Sequence, residues 1–260
     1  MGTDVLERRF AAIGARVKVI RTTHGDAARI DVGSDRRGEF FELRWGGGAG
    51  ISLHVVEADR DDRSLLLLVR EGGEKSKFLC GFDERHWFVA AIPESARGVS
   101  GIDAAKDALQ PDEVRAAVAR VRPRDRFRRR NAAYVRQGEW FFLPQRSLVV
   151  DERAVLHNEP LSRGAGSKDH LLERAFRIGG ETVFVNPDHP TGLSVAEFEA
   201  LPLDQQRRGN WREMVRDPEL YATGAVRHPD HNTIVLHGWH RVLMNTERQA
   251  RAMRHVAFLD

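Results

Sequence analysis

Residues 228–240, HPDHNTIVLHGWH, place four histidines and an aspartate within thirteen positions. Imidazole changes charge near neutral pH and, when neutral, is the commonest side-chain metal ligand. His228 and His231 flank a proline-containing bend with Asp230 between them, so two rings and a carboxylate can converge there. Two chemistries fit. Three nitrogen or oxygen ligands plus a water would hold zinc. Without metal, one histidine would act as general base, oriented by the carboxylate. The plain alternative is a solvated turn closed by the Asp230 side chain.

A second group of polar residues lies in HNEPLSRGAGSKDH, residues 157–170. Gly164, Gly166 and Ser167 run through Lys168 toward a helix expected to start at Asp169. Backbone N–H groups at such a start favour anions, and Arg163 and Lys168 add charge. The segment reads as a phosphate-contact loop, although the Gly-x-x-x-x-Gly-Lys-Ser/Thr pattern of a nucleotide loop is absent. His157, Glu159 and His170 can line the same cleft. Arg241 is a candidate for stabilising developing charge on a phosphate.

The third group is cationic. Residues 115–136 carry nine arginines and one acid, Asp125. A helix from Asp125 to about Val135 would put Phe127, Asn131 and Tyr134 on one stripe and turn the guanidinium groups outward. Arg122, Arg124, Arg126, Arg128, Arg129 and Arg130 are therefore the nucleic-acid-binding candidates, with Tyr134 and Trp140 as stacking groups. Asp83, Glu84 and His86 in FDERHWF form a weaker metal candidate at a tight turn.

Two family patterns are met in part. His228, Asp230 and His231 resemble the last three named positions of the His-x-His-x-Asp-His motif of the metallo-β-lactamase fold, but Val226 stands where its first histidine belongs. VNPDHP, residues 185–190, is similar to the strand end of HNH nucleases, with His189 and Asn210 alignable and the third histidine missing from 211–216. Neither resemblance assigns a family.

The elements that must position these groups follow from periodicity. After a short helix over 4–13, seven apolar-rich segments with polar turns predict an antiparallel β region to residue 93. LLLLV at 65–69 is the longest apolar run, too short for a membrane helix. ESARGVSG reads as a linker. Asp103 is the expected cap of a helix over 104–109, and Pro111 opens another. Beyond 138, short strands and helices alternate. They include a capping box at Ser194–Glu197, a helix over 203–216 and a terminal helix over 247–257. For 231–243 two readings stay open: a hairpin turning at His237-Gly238, or one strand with Ile234, Leu236, Val242 and Met244 facing the core.

The expected class is thus α+β, in three parts: a β-rich domain (1–93), a linker with arginine-rich helices (94–137), and a mixed domain with the histidine segment (138–260). Composition is that of a folded chain, 41% hydrophobic and 30% charged, and not of a disordered one. The net charge of only +3 excludes a polycation. The N-terminal MGTDVLERRF has no apolar segment of signal-peptide type, and Cys80 is alone, so a cytoplasmic protein with an inert thiol is expected. The functional expectation is a protein that binds nucleic acid or another phosphate-rich ligand. His228, Asp230, His231, His170 and Lys168 would hydrolyse a phosphodiester, and a divalent metal is the cofactor candidate. The alternative is a non-catalytic adaptor of a stress or defence system. Sequence leaves the metal's identity and the oligomeric state open.

Overall fold

A computed structural model describes residues 2–22, 28–46, 50–163 and 168–251. Helix α1 (Thr3–Ala12) leads into a three-stranded sheet: β1 (Val17–Thr22), β2 (Arg29–Asp35) and β3 (Gly38–Gly46), ordered β1-β3-β2. Strands β4 (Ser52–Asp59), β5 (Ser64–Glu71), β6 (Glu74–Asp83) and β7 (His86–Ile92) form an antiparallel four-stranded meander. The Leu65–Val69 run occupies β5 because both faces of this sheet are covered. Leu65, Leu67 and Val69 pack toward α1 and β3, and Leu66 packs toward Ile102, Ala105 and Leu109 of the next helical segment. Cys80 is buried in the same core, where desolvation pushes its thiol pKa up.

Helices α2 (Ile102–Ala108) and α3 (Asp112–Val118) follow. Asp103 does not cap α2. Gly101 is the cap position, and the Glu57 carboxylate accepts the Ile102 N–H at 2.6 Å from across the sheet. The second half is built on a six-stranded sheet. It contains β8 (Val135–Gln137), β9 (Trp140–Pro144), β10 (Leu156–Leu161) and β11 (His170–Ile178). A small sheet of β12 (Glu181–Asn186), β13 (His189–Ser194) and β14 (Arg212–Arg216) comes next, with α4 (Val195–Glu199) and α5 (Leu203–Arg208). Strands β15 (Glu219–Arg227) and β16 (Ile234–Met244) return to the large sheet, giving the order β10-β11-β15-β16-β9-β8.

Several expectations change. The α+β class with a helical connector does not hold: four sheets dominate the described residues, and no helix among them exceeds ten residues. The chain is mainly β. The expected helix from Asp125 is a single 3-10 turn at Pro123–Asp125 followed by an irregular loop and a bridge between Arg130 and Val135. The Asn131 side chain breaks the helix by local competition: its oxygen accepts from the Ala133 and Tyr134 N–H groups, and its amide donates to Asp125 and Arg126 carbonyls. The helix expected from Asp169 is strand β11. Residues 203–216 divide into α5 and β14. The terminal helix is a 3-10 turn at Thr246–Gln249, with 252–260 outside the described residues.

His237-Gly238 does not form a hairpin turn. The strand β16 is continuous, and residues 237–239 bulge out between the pairs Gly224–Leu236 and Ala222–His240. Gly238 has φ +81°, a conformation that costs glycine little. Leu236 and Val242 are buried, with Ile234 and Met244 packed against them, as the single-strand reading has it. The capping box Ser194–Glu197 is present. No helix among the described residues is long and apolar enough to cross a membrane.

Leu172, fully buried in β11, anchors the strand that begins at His170. Leu172→Ala should lower unfolding free energy by about 2–5 kcal/mol in urea titration. A loss below 1 kcal/mol would mean this core is not packed as described.

Candidate metal centre

The six-stranded sheet brings three histidines to one end. His170 opens β11, and its neighbour Leu171 pairs with Arg227, the last residue of β15. His228 therefore leaves β15 beside His170. The short link from β15 to β16, residues 228–233, folds back to bring His231 against both. The rings lie close and inclined by 22–35° to one another: His170–His228 centroids are 4.2 Å apart, His228–His231 4.7 Å, and His170–His231 5.7 Å. One ring nitrogen of each lies within 4.8 Å of those of the other two.

His170 is the unusual member. It is 1% exposed, and among the described residues neither ring nitrogen has a hydrogen-bond partner. Burial, then the neighbouring His228, His231 and Arg163, pushes its pKa down to about 3. It is thus neutral at ordinary pH and keeps a lone pair available. The His231 pKa is lowered too, chiefly by burial, and among the described residues its Nδ1 also lacks a hydrogen-bond partner. His228 is already engaged: its Nδ1 accepts the Asp230 N–H at 3.1 Å, and its Nε2 lies 3.3 Å from the Lys168 carbonyl. Coordination would exchange one of these two long contacts for the ion.

Gly138, in the turn between β8 and β9, shapes the floor. A Cβ built there would lie 3.0 Å from His231 Nε2 and 3.5 Å from His170 Nε2, so both atoms face one small space that glycine leaves open. Its φ of +55° also favours glycine. Tetrahedral zinc at about 2.0–2.1 Å from each nitrogen would draw the ligand atoms to roughly 3.3 Å apart, which side-chain rotation can supply. The donor set of three imidazoles suits zinc with one position left for water.

His228 and His231 line a cleft of about 800 Å³ that also takes in Asp230, Lys168, Arg163 and the arginines Arg124 and Arg128. Lys168 binds Asp230 at 3.0 Å. Burial acts against the charged Asp230, but Lys168, with smaller contributions from His228 and His86, holds that carboxyl below its ordinary range. Arg163 donates to the buried Glu247 at 3.0 Å and lies 3.9 Å from Glu139. Burial raises the Glu247 pKa despite Arg163.

Other candidates fall elsewhere. Gly164, Gly166 and Ser167 lie outside the described residues, and the helix their anion role needs is a strand. Arg241 pairs with Glu219 at 3.1 Å and Glu113 at 3.6 Å and does not line the cleft. Glu159 is held by Arg177. Tyr134 is 2% exposed and Trp140 7%, so neither offers a face for stacking bases; Tyr134 donates to the Arg126 carbonyl. His189 stacks on Trp211, on the small sheet.

The arginines divide. Arg122 and Arg128 lie 3.1 and 3.2 Å from the Asp125 carboxylate and Arg124 lies 3.9 Å from it, yet all three stay about 70% exposed. With Arg120 and the exposed Arg130, Arg122 and Arg128 line a second hollow of about 350 Å³. Arg129 is committed instead to Asp83 and Glu84, at 2.6 and 2.7 Å. Arg126 is turned inward, donating to the Val121 carbonyl at 3.3 Å. Asp83 and Glu84 lie far from Arg129 in sequence, so the scarcity of acids within 115–136 does not reveal this pairing.

No family model, curated protein or solved structure matches the chain significantly.

Unfolded, His170 regains an ordinary pKa of about 6.5. Because its folded pKa is depressed, the stability tied to the neutral ring is present above pH 6.5 and is lost as pH falls toward 3. The slope from this group is at most about 1.4 kcal/mol per pH unit. In metal-free buffer, His170→Phe should lose stability less steeply than wild type between pH 6.5 and 4.5 in urea unfolding. Equal slopes would show that His170 is not held neutral.

Proposed function

We propose that the protein is a metal-dependent phosphoester hydrolase whose divalent ion, zinc by donor type, is held by His170, His228 and His231. One observation carries this reading. Three histidines bring ring nitrogens within 4.8 Å of one another, one ring wholly buried with neither nitrogen partnered among the described residues, and two of them wall a cleft shared with Arg124 and Arg128. A buried polar group without partners is unfavourable by about 1–3 kcal/mol, and an ion would relieve it.

The bound ion would lower the pKa of water to near 7 and polarise a phosphoryl oxygen. In the overall hydrolysis the water oxygen would bond to phosphorus, the ester P–O bond would break, and the proton lost by the water would go to the departing oxygen. Lys168 and Arg163 stand in the cleft as cations for the phosphoryl group, although each is shared with a carboxylate. The loop arginines Arg122, Arg124 and Arg128 share one Asp125 carboxylate, which leaves excess positive charge for further phosphates. Nucleic acid is the phosphate-rich partner we propose for this cationic rim.

Calorimetric titration at pH 7 should find one zinc per chain, with His170→Ala and His231→Ala each weakening it at least tenfold. Hydrolysis of bis(p-nitrophenyl) phosphate should stop with EDTA and in His231→Ala, while a labelled single-stranded oligonucleotide still binds that variant. Zinc uptake without turnover on either compound would reduce the reading to a binding protein; no zinc uptake would remove it.

Gly138→Ala fills the space before the two Nε2 atoms. It should weaken zinc by more than tenfold while the left-handed strain is worth only about 1–2 kcal/mol of stability. Unchanged affinity would move the ion away from this space.

A further inference from the structure

We propose that Glu84 is a positioning residue for this centre: its carboxylate fixes the His231 ring so that Nδ1 keeps the proton and Nε2 turns its lone pair to the ion. The inference rests on the metal-centre reading above and assigns a task to the turn between β6 and β7, which belongs to the other half of the chain.

Glu84 sits at the tip of that turn with φ +53°, a left-handed conformation that a non-glycine residue rarely adopts. Its side chain is only 4% exposed. One oxygen receives Arg129 at 2.7 Å; the other accepts the Asn232 N–H at 2.7 Å and lies 3.9 Å from His231 Nδ1. At 3.9 Å the two do not hydrogen-bond, and among the described residues the buried Nδ1 has no hydrogen-bond partner; Glu84 is the carboxylate placed to receive its proton if the ring turns. His231 Nε2, at the far side of the ring, faces the space above Gly138. Carboxylate, imidazole and ion positions thus fall in sequence, the order in which an outer carboxylate orients a ligating histidine and raises its basicity.

Asn232, beside His231, is held at three points. Glu84 takes the Asn232 N–H, Arg85 donates to its side-chain oxygen at 2.7 Å, and Gln137 donates to its carbonyl at 2.7 Å. The neighbouring acid and histidine of the turn are occupied otherwise: Asp83 binds Arg129 and Arg136, and His86 contacts Glu39 at 2.6 Å. The turn therefore serves the three-histidine centre and does not form a metal site of its own.

The test uses the full chain carrying Glu84→Gln or Glu84→Met. Zinc affinity is read by competition with a chromophoric chelator, and the His231 tautomer by nitrogen NMR of the zinc-free protein. Wild type should show His231 protonated at Nδ1. Glu84→Met should shift it toward Nε2–H and weaken zinc about 10–100-fold. Glu84→Gln, which can still accept from Asn232 but has lost the charge, should fall between them, and it carries the test if the methionine variant does not fold. A merely structural role would leave the tautomer unchanged. If wild type binds zinc and the variants match it in affinity and tautomer, the role of Glu84 is overturned and the metal centre stands. If wild type binds no zinc, both are overturned.

Discussion

The centre turns on the desolvation of His170. A neutral imidazole without any hydrogen bond is unfavourable inside a protein, and the penalty is tolerated here because β11 packs Leu172 and Ala175 into the core on the same strand. Fixing that strand fixes the ring at the sheet end. Burial also keeps the ring uncharged, so it does not repel His228 and His231 as a second or third cation would. Three stacked imidazoles at neutral pH are compatible only if most of them are unprotonated, and burial ensures that for two.

The rest of the architecture can be understood as support for that arrangement. The large sheet supplies His170 and the ends of the 228–233 link, while Gly138 in the neighbouring turn leaves the room beneath. The four-stranded sheet reaches across with Asp83, Glu84 and Arg85, and Arg129 ties the arginine loop to the same turn. Arg129 and Arg136 thus work as structural cross-links, whereas Arg122, Arg124 and Arg128 remain at the surface around Asp125. Positive charge that looked uniform along the sequence is divided in space between a fastening and a rim.

Much of the candidate centre was legible because its spacing is local. His228 and His231 lie three residues apart across a proline bend, and two-residue and three-residue spacings survive any fold that keeps the turn. The strand nature of β11 was not legible. Its ladder with β15 shifts register between Leu172 and Arg174, which puts the buried Leu172 and Ala175 three residues apart and imitates a helical face. The arginine segment misled for a different reason: its residue types favour a helix, but the Asn131 side chain hydrogen-bonds backbone groups of Asp125, Arg126, Ala133 and Tyr134, and Tyr134 folds inward onto Arg126. Glu84 and His231 stand 147 positions apart, and no periodicity in one sequence relates them.

The most direct measurement is anomalous diffraction at the zinc edge from crystals grown with one equivalent of zinc. A single peak about 2.0–2.1 Å from one ring nitrogen each of His170, His228 and His231 is the expected result. A peak at other residues, or none at this sheet end while the three rings keep their stacked positions, would contradict the central claim.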